Sequence, residues 1–281
     1  MPYYLKLFVS ALLLCIFYSF SYKNKKSTDT SSGVAIYHFF HIGDTTNTGR
    51  IWEEDFQMAF NTQRSLYTSY TKQKQDSILK SKIEAAASAG SNQINMGLFV
   101  PSTAENIFTS ASDRTVYVNK FFSENNYLIK EVLEQVNWKI EKETKILLGY
   151  TCQMATGICK GREYTAWFTT DIPVSFGPWK LQGLPGLIME AYDDSQRIKF
   201  TCTKITLGTS LPANISLDLP SDAVVTSHSD YSRMEKAYKE SLSPGGYAGT
   251  ETSIDKVTVQ GDPQEKARKK FTVNYPLELT N

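Results

Sequence analysis

The feature that most constrains this chain is a succession of short segments in which apolar and polar residues alternate, each cut off by a short polar turn. From Thr115 onward the segments Val116 to Phe122, Tyr127 to Glu134, Trp138 to Glu141, Ile146 to Thr156 and 161–169 follow one another closely. A period of two puts every second side chain on one face of a strand, and turns this short can only join antiparallel neighbours. The stretch therefore predicts an antiparallel meander. In the returning strand, Tyr164, Ala166 and Phe168 share one face, after a tip expected to contain Gly157.

The same reading extends in both directions. Val34 to Phe40 is a β-branched and aromatic run that predicts a first strand. Phe56, Met58 and Phe60 lie at period two in a second, and Ser65 to Tyr70 continues the extended pattern. Ile188 to Tyr192 and Ile198 to Ile205 form another hairpin across Asp193-Asp194. Between strands, Lys72 to Ala89 places Ile78, Leu79, Ile83 and Ala86 at helical spacing and ends at Gly90, so a surface helix is expected. Tyr231 to Leu242 fits a second helix, and Asp262 to Lys270 a third, basic one opened by Pro263. The expected fold class is α+β, mainly antiparallel β: a single curved sheet or partly open barrel with a few peripheral helices.

Residues 1–22 have the form of a secretory signal: Lys6, an apolar run from Leu7 to Phe20, then a basic flank beginning at Lys23. Cys15 is preceded by Leu14, where a lipoprotein signal needs a small residue. The polar residues 23–33 are expected to be a tether, and 34–281 a single β-rich domain, leaving no membrane span once the signal is removed. The expected location is exported, periplasmic or outer-membrane associated. Without Lys6 the chain carries 29 basic and 29 acidic residues, a balance that offers no electrostatic footprint for nucleic acid. Three cysteines would remain. An odd count in an oxidising compartment suggests one disulfide, for which Cys152 and Cys202, both mid-strand, are the favoured pair; three buried thiols are the other reading.

The densest pattern lies between Trp138 and Asp193. It contains Cys152-Gln153-Met154-Ala155, Gly161-Arg162, Ala166-Trp167-Phe168, Asp171-Ile172-Pro173, Gly177-Pro178 and Gly183-Leu184-Pro185-Gly186-Leu187-Ile188. These blocks, in this order, resemble the GLPGLI family of secreted bacterial proteins. The ending Asn274-Tyr275-Pro276-Leu277-Glu278-Leu279 is similar to that family's tail with Tyr275 inserted, and Met154 departs from it where a basic residue is expected. The resemblance brings a compartment but no established activity. Members of that family are often encoded near outer-membrane uptake receptors, so the resemblance implies an unknown small ligand or an envelope protein, including such a receptor, as the expected partner.

Within the signature, Gly177, Pro178, Gly183, Pro185 and Gly186 are turn formers. Leu184 to Leu187 fits a type II turn with Gly186 at the positive-φ position, and Gly183 fits a close backbone approach. The candidate ligand-binding residues are Arg162, Trp167, Asp171, Trp179 and Glu190, on a cleft formed by the two tryptophans and the Asp171 loop. A non-enzymatic binding protein of the envelope is the leading expectation. A hydrolase-like enzyme using Asp171, Arg162 or Glu190 is the alternative, and a structural partner of an uptake complex the third. Only His38, His41 and His228 are present, and His38 and His41 point to opposite faces of a strand, so no metal site is expected. No nucleophile elbow, phosphate loop or dinucleotide fingerprint occurs, and no cofactor is expected.

Overall fold

A computed structural model describes residues 31–91, 94, 95, 97, 100–208, 211, 212, 215–241 and 273–279. The signal-like segment and the expected basic helix from Asp262 lie outside the described residues.

Twelve strands form one sheet: β1 (Gly33–His41), β2 (Trp52–Phe60), β3 (Arg64–Ser69), β4 (Asn106–Ser110), β5 (Thr115–Phe122), β6 (Asn125–Val132), β7 (Lys139–Leu147), β8 (Tyr150–Cys159), β9 (Arg162–Thr169), β10 (Leu187–Asp193), β11 (Ile198–Leu207) and β12 (Val224–Thr226). Their spatial order is β12-β6-β5-β4-β3-β2-β1-β11-β10-β9-β8-β7. Two antiparallel meanders, β1 to β6 and β7 to β11, are thus zipped together where β1 pairs with β11, Gly33 opposite Leu207 and His41 opposite Ile198. The α+β class with a single curved sheet is what the chain adopts. β12 runs parallel to β6 along one edge, and β7 forms the other.

Three hairpins turn in two residues, both at positive φ: Ser123 and Glu124, Leu148 and Gly149, Lys160 and Gly161. That is the type I′ geometry whose twist matches the flanking strands. Two expectations are corrected here. The turn assigned near residues 142–145 does not exist: β7 is one irregular strand that turns at Leu148-Gly149. Gly157 is not at a tip but inside β8, where the Trp138 ring lies 2.8 Å from the place of a side-chain carbon. Its glycine serves packing, not turning.

The sheet's curvature follows from one contact. β6 and β9 are eight strand spacings apart, about 38 Å on a flat sheet. Yet Lys160, in the turn leading into β9, places its ammonium 3.1 Å from the Glu131 carboxylate of β6. The two ends of the sheet curl toward each other. The enclosed space is filled by the β9–β10 connection, whose Ile172, Val174, Phe176, Trp179, Leu181 and Leu184 are all buried. This plug is tied to its own return: Leu187 N–H donates to Ile172 O and Ile188 N–H to Phe176 O. Phe39 stacks on Phe200 across the zipped seam, with ring centres 4.9 Å apart, and Trp179 lies parallel to Phe200 on the other side.

Helix α1 (Tyr70–Ser88) has no buried residue, as a surface helix should. Ser69 caps it: its Oγ accepts from Lys72 N–H and donates to the buried Glu54. Helix α2 (His228–Ser241) sets Tyr231 edge-on against Phe122 and Tyr127 near the β6 edge.

The signature is a double exchange of expected roles. Gly183, not Gly186, has the positive φ, at 95°. Gly186 is the close approach: a side-chain carbon there would stand 2.0 Å from Thr169 O. The motif wedges Gly186 against the end of β9, and the backbone reversal occurs three residues earlier.

Candidate functional site

Four segments converge at one end of the curled sheet: β6 with Glu131, the β8–β9 turn with Lys160, the plug with Lys180, and the C-terminal tail with Glu278. The Lys180 ammonium lies 2.7 Å from a carboxylate oxygen of Glu131 and 2.7 Å from one of Glu278. Lys160 reaches the same two carboxylates at 3.1 and 3.7 Å. The lysines are the buried members, with side chains 7% and 10% exposed, whereas Glu278 is 31% exposed. Beside them opens a cavity of about 210 Å³. Ile107, Val118 and Ile129 supply its apolar lining; Glu105, Lys120 and His228 add to its charged rim.

Local structure dictates both lysine positions. Lys160 occupies the first residue of a type I′ turn, so its side chain leaves the hairpin tip. Lys180 follows Trp179, which adopts φ 57° in a turn closed by Leu181 N–H on Pro178 O. Burial alone would raise the Glu131 carboxyl; the hydrogen bond and charge of Lys180, joined by Lys160, outweigh it and hold Glu131 below the usual range. Burial would lower the Lys160 ammonium, but Glu131, Glu278 and Glu134 raise it. Both partners are therefore fixed in their charged forms, which suits the gripping of ions and not proton transfer.

A second polar cluster holds the tail. Arg162 donates to Pro276 O at 2.6 Å, stacks on the Tyr275 ring at 4.0 Å and faces Asp193 at 3.8 Å. Asp193 accepts from Ile198 N–H, Ser195 Oγ and the Tyr275 hydroxyl. His41 Nε2–H donates to Tyr275 O at 2.8 Å. Burial would raise Asp193, but the hydrogen bonds of Tyr275, Ile198 and Ser195 and the Arg162 charge leave it lowered. Burial lowers His41, with the Tyr275 carbonyl opposing only in part.

These shifts set a pH dependence. His41, Asp193 and Glu131 all bind protons more weakly folded than unfolded, so stability falls as pH falls. The His41 share is lost from about pH 6.5 down through its lowered folded value, and the carboxylate share below about pH 4.5. Protection against hydrogen exchange at residues 274–279, taken relative to the intrinsic rate at each pH, should fall on acidification, in two steps, with His41→Gln removing the upper one. An exchange rate that follows only intrinsic chemistry between pH 7 and pH 4 would contradict this.

The candidate residues do not form one cleft. Arg162 belongs to the tail clamp. Glu190 pairs with Lys145 at 2.8 Å, and Lys145 lies 4.2 Å above the Trp167 ring. Ala166 and Phe168 are buried in the core, so the intervening Trp167 faces the other side of the sheet. Trp179 is inside the plug against Phe200 and Tyr164, and Asp171 is exposed on the turn after β9. Trp167 and Glu190 are thus neighbours around Lys145, Asp171 and Glu190 both act electrostatically on Cys152, and Arg162 and Trp179 stand elsewhere.

The Cys152–Cys202 bridge is not formed. Cys152, Cys159 and Cys202 are free and buried, and β9 and β10 lie between β8 and β11. Burial pushes the thiols up to about 11, about 12 and about 12, so they stay protonated near neutral pH. Among the described residues no group of three or more His, Cys, Asp or Glu could hold a metal ion. Sequence reasoning missed Lys160, Lys180, Glu131, Glu278, His41 and Tyr275. The available signal was a lysine inside the otherwise apolar plug; no signal linked it to Glu131 or to the tail.

A family model described as a protein of unknown function (Porph_ging) matches residues 158–190, the span from the β8–β9 turn through the plug into β10. Two solved structures of PNGF-II, in space groups P21 and C2, are similar in fold, with TM-scores of 0.51 and 0.50 and identities of 15% and 16%. They cover 73% and 72% of this chain, which spans only 33% and 32% of theirs. At such identity the likeness concerns the fold alone. No curated protein matches the chain.

Proposed function

We propose that the chain is a GLPGLI-type exported envelope protein that binds a ligand or partner without transforming it, gripping an anionic group between Lys160 and Lys180. One observation carries this reading: two lysines, both more than nine-tenths buried as residues, line a cavity of about 210 Å³ together with an apolar floor. Buried ammonium groups are expensive unless paired, so a chain that places two at one opening has a strong demand for carboxylate or phosphate there. In this conformation Glu131 and the peripheral Glu278 meet the demand. The signal-like leader and the matched stretch of a family of unknown function support the envelope placement and the family assignment. An outer-membrane uptake receptor is the partner that the family resemblance favours.

Native mass spectrometry of the full chain purified from its own envelope tests the proposal. Wild-type protein should carry an added mass that Lys180→Ala loses while keeping its circular dichroism. Protein that is free of ligand and partner in every preparation would overturn it.

A further inference from the structure

The tail sits on the molecule in an asymmetric way. No described residue from 273 to 279 is buried, yet the groups that receive it, His41, Lys160, Arg162, Lys180 and Asp193, all are. Much of the grip is on main chain. His41 and Arg162 donate to the carbonyls of Tyr275 and Pro276. Leu279 N–H donates to Lys160 O at 2.9 Å, and Gly43 O accepts from Asn274 and Tyr275 N–H at 3.0 Å. Main-chain contacts of this kind read the path of a backbone, here bent at Asn274, Tyr275 and Leu277, and not its side chains. Selectivity comes from the Tyr275 ring between Arg162 and Arg197 with its hydroxyl on Asp193, from the Glu278 carboxylate on the two lysines, and from Asn274, whose Oδ1 accepts from Thr45.

The walls of this groove also hold without the tail. Asp193 keeps Ile198 N–H and Ser195, and both lysines keep Glu131. Arg162 retains a buried Nε with no acceptor, one donor more than the tail uses.

We propose that this groove is a peptide-recognition site, filled in cis by residues 274–279. In trans it takes a segment of a partner protein that follows the same bent path and bears an aromatic residue, then proline, then a glutamate two positions beyond the proline. This rests on reading Lys160 and Lys180 as anion-gripping groups and names what brings the anion. The chain's own tail is the competitor: a tethered segment has an effective concentration on the order of millimolar, so an outside segment must displace it and binds more tightly once the tail is loosened.

The test uses the full chain and a labelled, end-blocked peptide of sequence Asn-Tyr-Pro-Leu-Glu-Leu. The double variant Tyr275→Ala, Glu278→Gln should bind it at least tenfold more tightly than wild type. Replacing the peptide's glutamate by glutamine should weaken binding to that variant at least tenfold. Failure of the folded double variant to bind the peptide overturns the inference, as does equal binding by variant and wild type. If the double variant fails to fold, Glu278→Gln alone serves, with the same tenfold criterion. An envelope ligand lost in Lys180→Ala, combined with no peptide binding, overturns the peptide assignment alone; absence of both overturns the anion grip as well.

Discussion

Gly186→Ala is expected to destabilise the protein by about 3 kcal/mol, the upper end of ordinary over-packing, because the added carbon meets backbone and not a movable side chain. It would stand 2.0 Å from Thr169 O and 2.6 Å from Thr169 C, at a residue with no exposed surface. Relief requires moving the end of β9 or the start of β10, which is where Leu187 and Ile188 tie the plug to the sheet. Gly183→Ala is the informative contrast. Its nearest neighbour, Trp138 Nε1, is 3.7 Å away, so the cost is the left-handed backbone alone, about 1–2 kcal/mol. Urea denaturation of the two variants beside wild type measures the difference. If Gly186→Ala costs no more than Gly183→Ala, the close approach at β9 is not what the motif serves.

The second large effect is expected at Asp193. Asp193→Ala removes a carboxylate that is 1% exposed and leaves Arg162 buried without a counter-charge, a change that typically costs about 3–5 kcal/mol. It also strands Ile198 N–H and releases the Tyr275 hydroxyl, so the tail should lose protection together with the β10–β11 turn. Tyr275→Phe alone removes one hydrogen bond to a charged group, about 1.5–3 kcal/mol. A double-mutant cycle should therefore show coupling between positions 193 and 275. Additive effects would mean that the tail and Asp193 are energetically separate, contrary to the geometry.

The hairpins could be read from the chain because each depends on a few consecutive residues. Alternation in Tyr164, Ala166 and Phe168 identified an inward face, and the structure buries all three. Failures occurred where a local pattern was short or ambiguous. β4 buries Ile107, Phe108 and Thr109 in succession, without alternation, and is too brief to stand out between loops. The charged stretch from Glu141 to Lys145 looked like a turn, but an edge strand tolerates such residues because only one side is hydrogen-bonded. The glycines of the signature were recognised as backbone residues, yet which one bends and which one is crowded depends on where β9 ends.

The site was less legible than the fold. Of the residues singled out, Arg162 anchors the tail, Glu190 and Trp167 meet around Lys145, Asp171 is exposed on the turn after β9, and Trp179 is enclosed in the plug. By itself the sequence determined the α+β class, the antiparallel meanders, the surface helix and the backbone character of the signature, because alternation, capping and turn chemistry act between near neighbours. Only the tertiary structure decided that β1 pairs with β11, residues more than 150 positions apart, and that the sheet curls until the β8–β9 turn reaches β6. That closure, together with the tail's return, brings Glu131, Lys160, Lys180 and Glu278 together. Charges from four distant segments attract only after the core has enclosed them, so no local pattern could announce the site.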